Sequence, residues 1–498
     1  MRLRKMFLLA LLAAALPAGA QNNSPSPKSL SLADCIQIAL EHNLDLKVER
    51  INPEVARYNV TLAYGGYDPV LDITASHQNS LSPGGLDQQN RLFAGSKTEF
   101  DSFNTSLGGV LPTGLQYSLG SQIGDRLSNP QDPLRSSENS SGSASIRLTQ
   151  PLLKNFWIDN TRFSIAVSKN RLKFSELGLR QRIMSVVENV QLAYYSLIQA
   201  REDVNNQEKA LQLAERLLAE NKKRVEVGAL APLDEKQAES QVAQRRADLL
   251  SAQSNLDIQQ NALKSLLSEN YRDWHGVPLE PSETLSAPPQ AFDIQSSWQR
   301  GMTQRPDLLQ TRLDLERMGL TLRYQRNQLF PQLDLTGSYG HSGSKKEYSG
   351  AFNDIGEGNS PFYSIGGELR IPLGNRTARN NYKISKAQRD QLLLQLKKEE
   401  QDIMIAIDDA VKTAQTAFQS VDATHQARLY AEAALDAEQK KLENGKSTSF
   451  FVLQLQRDLT FARGAEIRAL GDYNKALARL AFTEGATLEK AGLKIDVK

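Results

Sequence analysis

The side chains that most often do chemistry are sparse in this 498-residue chain and nowhere gathered. Its five histidines, His42, His77, His275, His341 and His425, are scattered, and no two stand at metal-ligand spacing. The one cysteine, Cys35, excludes a disulfide within the chain. It also lies too far past the apolar start, after Asp34, for lipoprotein acylation, and reads as an apolar helix residue. Nothing matches a phosphate-binding Walker loop, a nucleophile elbow or a zinc helix. Gly356-Glu357-Gly358 falls between two strand-patterned segments and lacks the helix a phosphate site needs, so it reads as a flexible loop. No enzyme, cofactor or metal site is expected. Any function must be carried by polar and apolar surfaces, and the elements that form those surfaces decide the matter.

Two long heptad-patterned stretches dominate. From about Arg162 to Glu226, Ile183, Val190, Leu197, Val204, Leu211, Leu218 and Val225 recur every seven residues, with Ala193, Ala200 and Ala214 three residues after their neighbours. From about Arg379 to Asn444, Ile403, Ile407, Ala410, Ala414, Ala417, Val421, Ala431, Leu435 and Leu442 repeat the pattern. Each stretch lacks proline over roughly 65 residues and predicts a helix on the order of 100 Å long. They end at Gly228 and Gly445.

Residues 1–20 read as a secretory signal peptide: Arg2, Arg4 and Lys5, an apolar run Met6 to Leu16, and a small-residue cleavage site with Ala18 and Ala20. Its loss takes the formal charge from +2 to about −1, so bulk charge argues neither for nucleic acid nor for an acidic surface partner, and no nucleic-acid partner is expected. No later segment reaches the roughly 20 apolar residues of a spanning helix. Ser31 with Asp34 forms a capping box ahead of a short helix, and a second helix runs from about Leu44 to Tyr64.

At Tyr67-Asp68-Pro69 the period changes to two. Leu71, Ile73 and Ala75; Phe103, Thr105 and Leu107; Leu115, Tyr117 and Leu119; and Ile146 and Leu148 alternate with polar residues, predicting four strands. Loops at about Gln78–Lys97 and Asp125–Gly142 and a tight turn at Pro112-Thr113-Gly114 join them. Such strands, with an apolar and a polar face, match a transmembrane β-barrel better than a sandwich. Four or six strands cannot close around a pore, and open edges in lipid cost several kcal/mol per unpaired backbone group, so several copies must complete the wall.

A returning helix, about Leu233 to Asn270, and a proline-rich linker close the first half. Asp45 and Leu46 then recur as Asp307 and Leu308, and Pro69, Leu71, Asp72 and Thr74 as Pro331, Leu333, Asp334 and Thr336, all at an offset of about 262. Pro151-Leu152 matches Pro372-Leu373 at about 221, and Arg162, Lys169 and Gly228 match Arg379, Lys386 and Gly445 at about 217. The drop from about 262 to about 221 gives the first half about 41 extra residues before Pro151, enough for one additional hairpin, the one turning at Pro112-Thr113-Gly114. The second half has two strands, about Gln332–Gly340 and Tyr363–Ile371. The organisation is signal peptide 1–20, first repeat 21–270, linker 271–294, second repeat 295–484 and a tail 485–498.

Leu30-Ser31-Leu32-Ala33-Asp34-Cys35-Ile36-Gln37-Ile38-Ala39-Leu40, Arg305-Pro306-Asp307-Leu308, Phe330-Pro331-Gln332-Leu333, the strand exits Pro151-Leu152 and Pro372-Leu373, and Arg224-Val225-Glu226-Val227-Gly228 together resemble the TolC-type outer-membrane efflux family. The resemblance implies an α+β membrane protein: a homotrimer whose protomers give four strands each to a 12-strand outer-membrane barrel, continued by a coiled-coil helical tunnel through the periplasm. It implies a passive exit duct for substrates delivered by an inner-membrane transporter and a periplasmic membrane-fusion adaptor. On this resemblance the extra hairpin is expected outside the wall, because a wider barrel fits the tunnel poorly. The competing reading is a periplasmic coiled-coil scaffold or adhesin without a pore.

The resemblance also implies site residues. The adaptor docks at the turns after the tip glycines, Val227, Gly228, Ala229 and Leu230 in the first and Gly445 and Lys446 in the second. The family's gate is held by polar links and by acids six and nine residues past the second tip glycine. Asp234 matches one linking acid, though it equally suits a first-turn residue stabilised by the helix dipole. Phe451 and Gln454 occupy the acid positions, and Ser447 stands where an arginine is expected. Phe451 would close the entrance by packing and dewetting; because Phe450 and Phe451 are adjacent, one of the two must face the helix pair as core, and either could be the one that faces the lumen.

Overall fold

The computed structural model describes residues 28–129, 132, 134 and 136–493; the signal-peptide expectation, with Ala18 and Ala20, lies outside them. In chain order the elements are β1 (Lys28–Leu30), α1 (Leu32–His42), α2 (Leu44–Tyr64), β2 (Val70–Ser82), β3 (Gly85–Leu86), β4 (Leu92–Phe93), β5 (Ser96–Val110), β6 (Gln116–Ser128), β7 (Ser137–Pro151), α3 (Asn160–Glu226) and α4 (Pro232–Leu267). Then follow β8 (Leu279–Pro281), α5 (Ile294–Gln304), α6 (Pro306–Asn327), β9 (Gln332–Lys345), α7 (Tyr348–Glu357), β10 (Pro361–Arg370), α8 (Arg376–Glu443), α9 (Ser449–Thr483) and α10 (Thr487–Lys490). Two helices, strands, a long helix and a shorter returning helix thus occur twice in order. None of the described helices is long and apolar enough to cross a membrane.

The chain divides into two compact units. One contains Val186–Gln290 and Ala414–Ala478 with the residues up to Leu44. Here the capping box at Ser31 is complete, Asp34 N–H donating to the Ser31 hydroxyl at 3.1 Å and Ser31 N–H to the Asp34 carboxylate at 3.1 Å. The stretch expected to be linker supplies β8, which pairs in parallel with β1. Tyr194 on α3, fully buried, donates from its hydroxyl to the Leu30 carbonyl at 3.1 Å and ties this strand pair down. Cys35 is completely buried in α1, and burial pushes its thiol up to about 12, so it is inert.

The other unit contains Asp45–Ser185, Ala291–Thr413 and the chain from Arg479. Its centre is an antiparallel six-stranded sheet in the order β10-β9-β7-β6-β5-β2. The expectation that the extra hairpin stands outside is overturned for the chain itself: β5 pairs with β2 and β6, and β6 with β5 and β7. Both strands carry the same two-residue alternation as their neighbours, so insertion continues both faces and pairs backbone groups that would otherwise be left open. The turn is tight because Gly114, at φ +84°, takes a left-handed conformation.

The strands reach 13 to 15 residues in the first half, running well into the segments expected as loops. Near their outer ends both faces become polar, as at His77, which pairs with Asp101 at 2.7 Å, and Ser140, which donates to Asp125 at 2.7 Å. Pairing continues where alternation has stopped, and only alternation was visible in the sequence.

Candidate functional site

The first candidate surface is the sheet. Register places Leu71, Leu107, Leu119, Ile146, Tyr339 and Tyr363 in one row across all six strands. All six are large and apolar, and all are exposed, from 38% to 80%. The row one residue along, on the opposite face, runs Asp72, Ser106, Gly120, Ser145, Gly340 and Phe362. A parallel row reads Thr74, Asn104, Gln122, Ser143 and Ser342. One face is therefore apolar and the other is built mainly from small uncharged polar residues, and an apolar face of this extent left open to water would be costly. Lipid is the solvent that suits it. At the sheet edges, β2 and β10 each pair with a single neighbour among the described residues.

The short helix α7 seats on the outer part of the apolar face. Two glycines make room for it: a Cβ at Gly142 would lie 2.9 Å from the Ile355 methyl, and one at Gly343 would collide with the Ala351 carbonyl. Ala351 is fully buried there, while Tyr348 and Phe352 remain exposed. This helix corrects the reading of Gly356-Glu357-Gly358 as plain loop. The glycines still cannot hold phosphate, because they close the C-terminus of the helix, with Gly358 left-handed at φ +70°, and that end of the dipole repels anions.

The second candidate surface is the pair of helix turns. Gly228 at φ +76° and Gly445 at φ +68° end α3 and α8 in the same way. Ala229 N–H donates to the Arg224 carbonyl at 2.7 Å and Lys446 N–H to the Lys441 carbonyl at 2.8 Å, the six-to-one bond of a Schellman cap. A Cβ added at either glycine would meet nothing within 4 Å, so the backbone angle, not crowding, calls for glycine. Val227, Ala229 and Lys446 are exposed and Leu230 half-buried, leaving a small, mostly apolar tip.

Beside these turns lie the residues expected to gate. Asp234 sits in the first turn of α4, where the dipole favours its charge. Ser447 donates from its hydroxyl to the Glu438 carboxylate, and that bond with the one from Lys441 holds Glu438 below the usual carboxylate range. Gln454 is exposed. The expectation that one of the two adjacent phenylalanines is core is wrong: Phe450 and Phe451 are 57% and 52% exposed and meet edge to face at 5.8 Å. The buried stripe of α9 is Ser449, Val452, Gln456 and Leu459. Positions 450 and 451 both fall off it.

Sequence reasoning missed the polar pins in the helix seams. Asn206 donates to the Thr460 carbonyl at 3.0 Å, and Asn221 accepts from the Ser449 hydroxyl at 3.0 Å, both out of water. Arg224 reaches the Leu442 carbonyl at 3.4 Å. The signal available was an asparagine within a heptad pattern, which fixes register at some cost in stability. In the other unit, Arg305 of the Arg-Pro-Asp-Leu motif holds Asp307 at 2.5 Å and the Thr483 carbonyl at 3.1 Å. Close by, Glu484, 1% exposed, accepts from Arg300 at 2.8 Å, Lys490 at 3.0 Å and Ser297 at 2.5 Å. These clusters brace helices. Among the described residues no group of histidines, cysteines and acids is placed to hold a metal.

A sheet that is apolar on one face and mainly small and polar on the other, carried by a chain with two very long capped helices, fits an outer-membrane channel protein. The chain belongs to the outer membrane efflux protein family, whose model matches residues 35–269 and 299–486, a family of channels and not of enzymes. It is similar to the outer membrane efflux protein BepC of Brucella suis, 24% identical over 362 residues, covering 71% of this chain and 74% of BepC. It is 22% identical over 371 residues to the outer membrane protein TolC of Escherichia coli, covering 73% and 72%. Among solved structures, the Campylobacter jejuni CmeC outer membrane channel aligns with a TM-score of 0.65 at 17% identity over 97% of this chain and 94% of that one. The Neisseria gonorrhoeae MtrE outer membrane channel, in its open state, aligns with a TM-score of 0.64 at 18% identity over 94% and 90%.

Proposed function

We propose that the chain is the outer-membrane exit duct of a tripartite efflux or secretion system, working as a homotrimer. The apolar row from Leu71 to Tyr363 carries the reading. Three copies would close the wall at the β2 and β10 edges, turning that row to lipid and the serine-rich face to water. The paired long helices of the three copies would continue the duct into the periplasm. The tip turns Val227–Leu230 and Gly445–Lys446 would receive a periplasmic adaptor, which connects the duct to an inner-membrane transporter. Asp234, Ser447, Phe451 and Gln454 would border the entrance, with the exposed Phe451 as the closing group. Transport is passive and no bond is broken.

The test is a deletion strain complemented with the chain. Complementation should restore export, and the protein should leave outer membranes only in detergent and migrate differently in unheated gels. Release by osmotic shock alone, with export unchanged by the deletion, refutes the duct.

A further inference from the structure

We infer that the barrel is an 18-strand wall with a bore wide enough for bulky cargo, an inference that rests on the trimeric duct proposed above. The chain contributes six strands to one unbroken sheet, and its inserted hairpin β5–β6 lies in the middle of the strand order, not on its margin. A hairpin hydrogen-bonded on both sides cannot leave the wall without opening both β2 and β7. Its faces also obey the wall: Leu107 and Leu119 stand in the apolar row, Ser106 and Gly120 in the polar one. The chain's two edges are suited to each other, since β2 and β10 are separated by an odd number of antiparallel steps and so run in opposite directions. Copies joined edge to edge would continue the antiparallel pattern around the ring.

Geometry converts the count into a bore. Strands about 4.8 Å apart and tilted about 40° give a backbone diameter of about 36 Å for 18 strands, against about 24 Å for 12. The lumen side chains are small, as at Ser106, Gly120, Ser143 and Ser145, so about 25 Å stays clear, against about 14 Å for the narrower ring. Charges do stand among them, at Asp72, Asp334 and Glu368 and at Arg126, Arg147 and Arg370, three acids against three bases, so the wall carries no excess of one sign. The cargo class this admits extends beyond small amphiphiles to compact polypeptides, with any filtering left to the helices.

The test is size-graded labelling of a lumen cysteine in intact cells expressing the full chain. Ser143→Cys is placed in the lumen on β7, Ile146→Cys on the lipid face of the same strand, and the native Cys35 is buried. Maleimide probes of about 10 Å radius should label Ser143→Cys to within about twofold of a small maleimide, because the clear bore is about 25 Å. Removing residues 96–128 joins β2 to β7 and leaves four strands, so the same large probe should then label at least about tenfold less. Exclusion of the large probe from the full chain, or its undiminished entry after the deletion, overturns the inference, as does a density map of the trimer with 12 wall strands. Labelling of Ile146→Cys in place of Ser143→Cys would instead refute the duct itself.

Discussion

Ser449 and Asn221, 228 residues apart in sequence, share a 3.0 Å hydrogen bond in a seam that leaves each of them 1% exposed. The asparagine amide also faces the Asp234 carbonyl at 3.4 Å, so one side chain on α3 addresses both α4 and α9 next to the two tip turns. The same unit holds an apolar cluster of Leu217, Leu435, Leu442, Val452 and Leu459. A polar pin in a helix seam specifies one register among several that leucines alone would tolerate.

Replacing Asn221 with leucine should therefore destabilise this region by about 1–3 kcal/mol, because Ser449 is left as a buried donor without an acceptor. The double variant Asn221→Leu, Ser449→Ala should recover most of the loss, since neither polar group then remains. Proteolysis at the tip and thermal melting of detergent-solubilised trimers measure both. Equal losses in the single and double variants would mean that packing, not the hydrogen bond, holds the seam.

Glu484 carries a pH signature. Burial pushes its carboxyl up, but hydrogen bonds from Arg300, Ser297 and Lys490 outweigh that and hold it below the ordinary value of 4.5. A carboxylate depressed in the folded state stabilises fully above its unfolded value, and that contribution drains away as pH falls through the folded one. Wild-type melting temperature should thus drop below about pH 4.5. Glu484→Gln should be less stable at pH 7, by about 1–3 kcal/mol, and should show a shallower acid decline. Parallel acid curves for the two proteins would remove Glu484 from the account.

Much of this architecture was legible in the residues. The capping box at Ser31, the helix from Leu44 to Tyr64, both long helices and all six principal strands followed from caps, heptads and alternation. What stayed hidden has physical causes. The outer strand ends lose alternation where both faces meet water. In α3 the buried stripe moves off the strict heptad, so that Ala210, Leu217 and Asn221 are buried while Leu211 and Leu218 are only half-buried, the drift expected when a helix of 3.6 residues per turn is read with a period of 3.5. Phe450 and Phe451 were misjudged because two adjacent aromatics invite one inside and one out, whereas a stripe at Ser449 and Val452 excludes both. Helix α7 was hidden because its seat is made by Gly142 and Gly343, whose contribution is the absence of a side chain.

That seat makes a prediction. Gly343→Val adds atoms where the Ala351 carbonyl lies, so α7 should lift off the sheet while the strands stay paired. A fluorophore at Phe352 should report increased mobility, and limited proteolysis should cut between Lys345 and Pro361. Unchanged mobility would show that the sheet yields instead.

The tip turns give a separable pair of outcomes. Ala229→Asp with Leu230→Asp places charge on the exposed turn without touching Gly228 or the Schellman bonds, so trimers should form normally while export falls to the level of the deletion strain. Gly228→Ala, by contrast, forces a left-handed residue to carry a Cβ at a cost of about 1 kcal/mol, and export should fall only modestly. Export retained by the charged variant, with trimers intact, would rule out docking at this turn.

The entrance is the last and sharpest test. Phe450 and Phe451 both stand outside the buried stripe, packed edge to face on each other, so α9 offers an aromatic pair to whatever lies beside it. If three copies of Phe451 converge, closure is by apolar packing and dewetting, with little electrostatic preference for cations. Trivalent cations should then fail to plug the wild-type channel in planar bilayers. Phe451→Asp should raise conductance, by removing the apolar contact, and should also create cation block, by supplying a ring of three carboxylates. Phe450→Asp serves as the discriminating partner, because it is equally exposed and one residue round the helix. Should Phe450→Asp produce the conductance rise and cation block and Phe451→Asp neither, the two aromatics exchange roles; block of the unsubstituted channel, or no effect from either aspartate, would place the gate away from the start of α9.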